Sequence, residues 1–434
     1  MQSYYEATVT RASGLASAYA PLTGRRGVNV CIVGGGLAGL STALGLAERG
    51  VGDVAVLEAE QVGFGASGRN GGFVFGGYSL DCADLLKTLG ASRARELYAL
   101  TTDAVDLMRK RIQRYRIDCD VTDAGVILAN WFDEPALLDS QRRLMRDSFG
   151  VEWEPVPAAQ LALQLKTNRY HGGLLERHAF HFHPLKYVLG VAAAAANAGV
   201  RIHEHSPVVR LQPEGAGFVV HTPHGSLEAR HVVMAGGGYA RNVYPKVERT
   251  VLPIATYVIA TEPLGARLKD AIDTRAAVYD TRFAFDYYRP LPDTRILWGG
   301  RISVRDRAPE AIARLLRRDL LKVYPQLHDV RIDYAWGGLM SYARHKMPQI
   351  GRGADGVWYA VGFGGHGMAP TTVSGELLAA AIAGERPVPE AFAAFGPTPA
   401  YGAFGLAAAQ LTYTAMQARD ALAARRRPRR SSSR

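Results

Sequence analysis

The sequence predicts an α/β fold that opens with a βαβ unit, in a chain long enough for more than one domain. Three observations predict it. Residues 28–33, Val-Asn-Val-Cys-Ile-Val, form a short β-branched apolar run of the kind buried in a parallel sheet. Gly34-Gly-Gly follows at once, and Leu37, Leu40, Leu44 and Ala47 then recur at helical spacing up to Gly50. The length, 434 residues, exceeds one ordinary domain and points to two or three units sharing an interface.

The elements follow in order. Residues 53–57, Asp-Val-Ala-Val-Leu, read as the second buried strand and end at Glu58. Residues 63–77 form a Gly-rich loop. Residues 91–116 read as a long amphipathic helix with Leu97, Leu100, Ala104, Leu107, Met108 and Ile112 on one face, and residues 185–198 as another. Residues 218–235 alternate like a hairpin and then run apolar into Gly236-Gly-Gly. The segment 251–340 is rich in strand formers, among them Tyr257-Val-Ile-Ala-Thr, residues 283–289 and residues 295–300. Near the end, residues 357–361 form a strand, Gly362-Phe-Gly-Gly-His-Gly-Met a turn, and residues 370–383 a helix stopped by Gly384.

Composition bounds the function classes. Hydrophobic residues make up 48% and charged residues 21%, which excludes a disordered, collagenous or coiled-coil chain. The net charge is +11, but residues 419–434 hold seven arginines against one aspartate and so carry +6 of it. That tail cannot bury a core and is expected to be disordered; the body is too weakly basic for nucleic acid to be the expected partner. Cys31, Cys82 and Cys119 make no CxxC pair and no even framework, so a reducing, cytoplasmic setting is expected. No stretch reaches the length of a membrane span, and no export signal is read at the N-terminus.

Gly34-x-Gly36-x-x-Gly39 lies between strand and helix, with an acid about 20 residues on. Gly34 allows the tight turn, Gly36 the approach of a pyrophosphate, and Gly39 close helix–strand packing. The helix N-terminus offers free N–H groups to an anion. Glu58 can accept from both ribose hydroxyls and would repel a 2′-phosphate. The second Gly-rich element directly after the acidic strand suits a longer dinucleotide carrying an isoalloxazine, that is FAD rather than NAD. The helix beginning near Pro370 would bring positive potential to a ring that becomes negative on reduction.

These motifs, with residues 65–72 (Gly-Ala-Ser-Gly-Arg-Asn-Gly-Gly) and 260–263 (Ala-Thr-Glu-Pro), resemble the D-amino-acid oxidase-type FAD oxidoreductases. Within them the γ-glutamylputrescine oxidase-like group, near sarcosine and glycine oxidases, is the best match, over residues 4–385. The resemblance implies an α/β FAD-binding domain, Rossmann-like and of glutathione-reductase type, assembled from discontinuous segments, plus an α+β substrate domain with a mixed sheet. The expected parts are an N-terminal arm, 1–26; an FAD-binding domain, 27–90, 172–240 and 345–390; a substrate domain, 91–171 and 241–344; a C-terminal helical segment, 391–418; and the basic tail.

Carried over residue by residue, the resemblance assigns Gly34, Gly35, Gly36, Leu37, Ala38 and Gly39 to the pyrophosphate turn, and Glu58 and Ala59 to the ribose. Gly65, Ala66, Ser67, Arg69, Asn70, Gly71 and Gly72 fall in the loop beside the cofactor. Val208, Ala235 and Gly236 lie on the adenine side, and Gly364, Gly365, His366, Gly367 and Met368 at the isoalloxazine. Tyr257, Tyr288, Trp336, Met340 and Arg344 join His366 as pocket candidates. Core packing is the competing reading for each, and strand alternation lets only one of Tyr287 and Tyr288 face the pocket.

Departures from the family refine the expectation. Residues 338–351 contain no Cys, and Arg69 stands near a His attachment point of the dimethylglycine group, so non-covalent FAD is expected. Ala369 stands where sarcosine oxidases carry a carboxylate-binding Lys. The reaction implied is oxidation of an amine C–N bond to an imine, then hydrolysis, with O2 or another acceptor and no obligatory acid–base residue. A γ-glutamylputrescine-like substrate is favoured over a cyclic, N-methyl or secondary amino acid. An RNA-directed or non-catalytic flavoprotein using the Arg tail is the alternative from another class. His178, His181 and His183 have no evident carboxylate or Cys companion, and no metal is expected.

Overall fold

The computed structural model describes residues 2–11, 19–240 and 242–425. Two eight-stranded sheets organise them. In the first, Gly24–Val33 lies parallel to Val54–Leu57 on one side and to Gly225–Met234 on the other. Arg201–His203 extends one edge, Trp358–Val361 and Gln349–Arg352 the other, and a hairpin, Arg210–Glu214 with Gly217–His221, pairs onto Gly225–Met234. The central strands are buried at consecutive positions, as strands covered on both faces must be.

Helices Leu37–Glu48, Pro184–Asn197 and Met368–Ile382 pack with this sheet. The first and last cross closely because small residues meet: a Cβ on Gly375 would collide with Ser41, and one on Gly45 would come 3.0 Å from Ala379. Buried Arg111, from the 24-residue helix Ala91–Arg114, ties the crossing together by donating to Glu48 at 2.6 Å and Glu376 at 2.5 Å.

The second sheet runs Ile332–Ala343, Val251–Thr261, Ile296–Ser303, Tyr287–Pro290, Ala277–Asp280, Val126–Ala129, Gly173–Glu176 and Glu154–Val156. It is mixed: Ala277–Asp280 and Val126–Ala129 are parallel and the other pairs antiparallel. Helix Pro309–Val323 covers one face, sealing a core around Trp298, Tyr288 and Tyr324.

Several expected boundaries shift. Gly173–Glu176 pairs in the second sheet, so the chain returns to the dinucleotide-type sheet after it and not at residue 172. Residues 283–286 are not strand; Arg282, gripped by Asp280 and Asp286, holds them as a loop. The C-terminal helix runs Gly402–Arg425, through the start of the expected disordered tail. It is anchored there because buried Asp420 accepts the Phe283 N–H at 2.9 Å. Residues 426–434, the rest of that tail, lie outside the described residues, as do residues 12–18 of the arm. The arm's helix Tyr4–Arg11 packs Tyr5 fully into the protein.

Candidate functional site

A cavity of about 1430 Å³ runs from the Gly34 turn, between the sheets, to the C-terminal helix. At one end Gly34 has φ +116°, and a Cβ there would lie 2.7 Å from the Ala235 carbonyl. A Cβ on Gly39 would overlap the Gly34 carbonyl, so this glycine sets the approach of helix to turn. The N-cap of helix Leu37–Glu48 is Gly36, which has no side chain to cap it, and the first turn carries no acid. Helix Met368–Ile382, preceded by Gly367, likewise has neither a capping side chain at its N-cap nor an acid in its first turn. Two helix N-termini without a carboxylate of their own therefore open on one cavity.

Glu58 is held ready on the wall. Its Oε2 accepts the Gly35 N–H at 2.6 Å and its Oε1 the Glu60 N–H at 3.0 Å. Burial pushes its carboxyl above the usual range, the two N–H donors opposing this. Ala59, Val208, Ala235 and Gly236 line the same end. The loop beyond is stapled by Asn70, whose Nδ2 donates to the Ala66 and Ser67 carbonyls at 2.9 Å and whose Oδ1 accepts the Gly72 N–H at 2.8 Å. Ser67 Oγ accepts the Leu37 N–H at 2.9 Å, joining loop to turn. Arg69 donates to the Phe64 carbonyl and pairs with Glu6 at 3.2 Å. Gly65, Ala66, Ser67, Arg69, Asn70 and Gly71 line the cavity. Gly72 does not; its missing side chain makes room for the Phe182 carbonyl.

Further along, Gly364 has φ +62° and a Cβ there would strike Ser79 Oγ. His366 packs edge-on against Phe75, 4.2 Å between centroids, and its Nε2 lies 3.0 Å from the Gly76 carbonyl oxygen. Burial lowers its pKa to about 4, so the ring is neutral near pH 7 and Nε2–H donates. The Gly76 N–H goes to the buried Glu176 carboxyl, which burial raises to about 7. Gly365, Gly367 and Met368 complete this wall, with Phe75, Tyr279, Tyr342 and Met340 around them.

Three pocket candidates are corrected. Tyr257 turns away from the cavity, its hydroxyl donating to the Arg305 carbonyl, while its neighbour Thr256 faces in. Tyr288 stacks on Trp298 at 4.4 Å and meets the Tyr170 hydroxyl at 3.2 Å, so the alternation presents Tyr287 instead. Tyr287 has space because a side chain on Gly299 or Gly71 would collide with it. Trp336 lies behind the loop, its Nε1 donating to the Arg69 carbonyl at 2.9 Å, and acts on the site through that loop. Met340, Arg344 and His366 do line the cavity. Tyr342 was missed, although it shares a face with Met340 by the strand's period of two.

The fit to FAD rests on these groups: an elongated cavity, an anion-ready turn, an oriented carboxylate one strand away, and a second helix N-terminus farther along. Among the described residues no cluster of ligating side chains could hold a metal ion. His178 meets Asp106 at 2.7 Å, His181 the Arg275 carbonyl at 2.8 Å, and His183 the Thr8 hydroxyl at 2.9 Å. No helix among the described residues is long and apolar enough to cross a membrane.

Comparison with known proteins agrees. Residues 29–381 match the family DAO, FAD dependent oxidoreductase. The chain is 37% identical over 418 residues to the Gamma-glutamylputrescine oxidoreductase of Escherichia coli K12, covering 96% of each. It is 33% identical to the Probable oxidoreductase OrdL of Haemophilus influenzae, covering 85% of each. Glycine oxidase from Geobacillus kaustophilus superposes with a TM-score of 0.71 at 20% identity, over 87% of this chain and 99% of that one.

Proposed function

The chain belongs to the DAO family and is an FAD-dependent oxidoreductase acting on amine C–N bonds, and we propose that its substrate is an extended amine of the γ-glutamylputrescine type. The observation that carries this reading is the near full-length likeness, 37% over 96% of both chains, to a γ-glutamylputrescine oxidoreductase. The geometry supports it. Ala369, at the position where the resemblance to sarcosine oxidases expects a carboxylate-binding Lys, is fully buried and brings no charge to the cavity. Arg282 and Arg301, which line the cavity, are occupied by Asp280, Asp286 and Asp319. The walls left for an amine are aromatic: Phe75, Tyr279, Phe285, Tyr287 and Tyr342.

Bound FAD supplies the two-electron acceptor for the hydride leaving the amine-bearing carbon. The protein orients that carbon. Tyr287 and Tyr279 wall the amine in, and Phe75, Met340 and Tyr342 line the same chamber. Neutral His366 fixes Gly76 and cannot repel an ammonium group. The uncapped N-terminus at Met368 provides positive potential at this wall. The amine nitrogen loses a proton before the carbon gives up hydride, and water then hydrolyses the imine to an aldehyde and the free nitrogen compound. O2 is the electron acceptor in this reading, with peroxide as its product, and the cytoplasm is its compartment.

The test is a screen of diamines, γ-glutamylated diamines, sarcosine, glycine and cyclic amino acids with peroxide detection. Highest kcat/KM for γ-glutamylputrescine supports the reading. Faster turnover of sarcosine or proline-like amino acids overturns it.

A further inference from the structure

Five cations line the cavity: Arg69, Arg282, Arg301, Arg344 and Lys346. Three are neutralised. Arg69 faces Glu6 at 3.2 Å, Arg282 lies 2.5 Å from Asp280 and 2.6 Å from Asp286, and Arg301 spans both oxygens of Asp319 at 2.7 and 2.8 Å. Arg344 and Lys346 have no ion pair among the described residues. Instead, Arg344 lies 5.2 Å from the Tyr401 ring centroid and Lys346 6.0 Å from that of Phe283.

The acids of the cavity wall do not answer them. Glu58 is at the Gly34 end, Asp81 accepts the Ala83 N–H at 2.8 Å as a helix cap, and Asp280 is taken by Arg282. Two side chains on one turn therefore add two positive charges to a cavity whose other cations are paired. Both side chains are exposed to solvent, so they keep their charge without an ion pair and stand open to an anion that arrives with the ligand.

The wall facing them is the C-terminal helix, which supplies Phe404, Ala408, Thr412 and Tyr413, with Tyr401 just before it. This helix lies past residue 381, where the family match stops. It is tied to the second sheet and the loop after it: Gln410 accepts the Val304 N–H at 3.2 Å, and Asp420 the Phe283 N–H at 2.9 Å. The aromatic seats of both cations, Tyr401 and Phe283, are thus set by the helix and by the loop it anchors.

We propose that Arg344, Lys346 and the C-terminal helix form a carboxylate subsite that selects amines carrying an anionic group remote from the oxidised carbon. This rests on the amine-oxidising reading and adds a discrimination that reading does not require. The aliphatic and aromatic stretch between the two ends accommodates the methylene chain. The two cations hold the carboxylate, and Tyr401 keeps Arg344 in place.

The experiment uses the FAD-loaded full-length enzyme and two amines, γ-glutamylputrescine and N-butanoylputrescine, which lacks the carboxylate and the α-amino group. The unmodified enzyme is expected to prefer the former. Arg344→Gln with Lys346→Gln should reduce that preference roughly ten- to a hundredfold, through KM and not kcat, because a hydrogen bond to a charged group is lost. Tyr401→Ala should reduce it in the same direction and serves if the double variant fails to fold. The FAD dissociation constant should not change in either. A fall in FAD affinity would assign the cations to the cofactor's phosphates and overturn the subsite. Equal loss on both amines would also overturn it. If the unmodified enzyme oxidises both amines with equal kcat/KM, the subsite falls while the amine reading stands. If it oxidises no amine, both fall.

Discussion

Glu58 and Gly35 are joined across the βαβ unit by a 2.6 Å hydrogen bond, so the acid at the end of the second strand is aimed by the turn it serves. The same carboxylate also takes the Glu60 N–H, and it lines the cavity. Position and orientation are therefore set before any ligand arrives.

Replacing Glu58 by Ala is expected to weaken FAD binding far more than it slows turnover at saturating FAD. Charge-assisted hydrogen bonds are worth about 1.5–3 kcal/mol each, roughly ten- to a hundredfold in dissociation constant. Titration of apoenzyme with FAD, followed by fluorescence, measures this. An unchanged constant would show that Glu58 does not hold the ribose.

The flavin is expected to leave the protein on acid or heat denaturation. Cys31 and Cys119 are buried off the cavity, and Cys82, which does line it, has a thiol that burial pushes up to about 12. A neutral thiol is a poor nucleophile for attachment. Yellow colour in the supernatant after precipitation checks this; colour retained in the pellet would contradict it.

Tyr287 and Tyr288 should separate function from stability. Tyr288→Phe removes a buried hydroxyl contact with Tyr170 and should cost about 0.5–1.5 kcal/mol of folding stability, with KM for the amine unmoved. Tyr287→Leu removes an aromatic wall. A loss of about 0.5–1 kcal/mol of cation–π attraction corresponds to a KM raised roughly two- to fivefold. Steady-state kinetics beside thermal melts distinguishes the two; equal KM values for both variants would count against Tyr287.

Glu176 should make stability fall as pH rises. Its folded pKa, about 7, stands above the ordinary 4.5, so between these values the native state binds more protons than the unfolded one. Stability is then full below the unfolded value and is lost as pH climbs through about 7, by about 3 kcal/mol in all. His181 and His183 act oppositely: held neutral with pKa near 3, they withdraw stability as pH falls below 6.5. Glu176→Gln should flatten the neutral-side decline in urea midpoints between pH 5 and 8. An unaltered slope would exclude Glu176 as its source.

Gly34, Gly36, Gly39 and Glu58 were legible because each meets a local demand that sequence spacing expresses: a turn, an approach, a helix contact, a strand end. The loop glycines were legible as a group, though Gly72 serves the Phe182 carbonyl and not the cavity. The substrate side was harder to read. Tyr257, Tyr288 and Trp336 have the right composition for a pocket, but which face of a strand looks inward depends on packing against helix Pro309–Val323 and helix Tyr4–Arg11, far away in sequence. Phe75, Tyr279 and the C-terminal helix reach the cavity only through tertiary folding, and no spacing rule marks them.

The Asp420 carboxylate that receives the Phe283 and Ala284 N–H groups comes from near the end of the chain. On the ribosome, residues 34 to 368, the cofactor walls, emerge well before it. A nascent chain can therefore complete the walls of its dinucleotide cleft while the loop at 283 still has no anchor. The helix that carries Asp420 fixes that loop against the substrate chamber, so a chain truncated before this helix would be coloured but catalytically impaired.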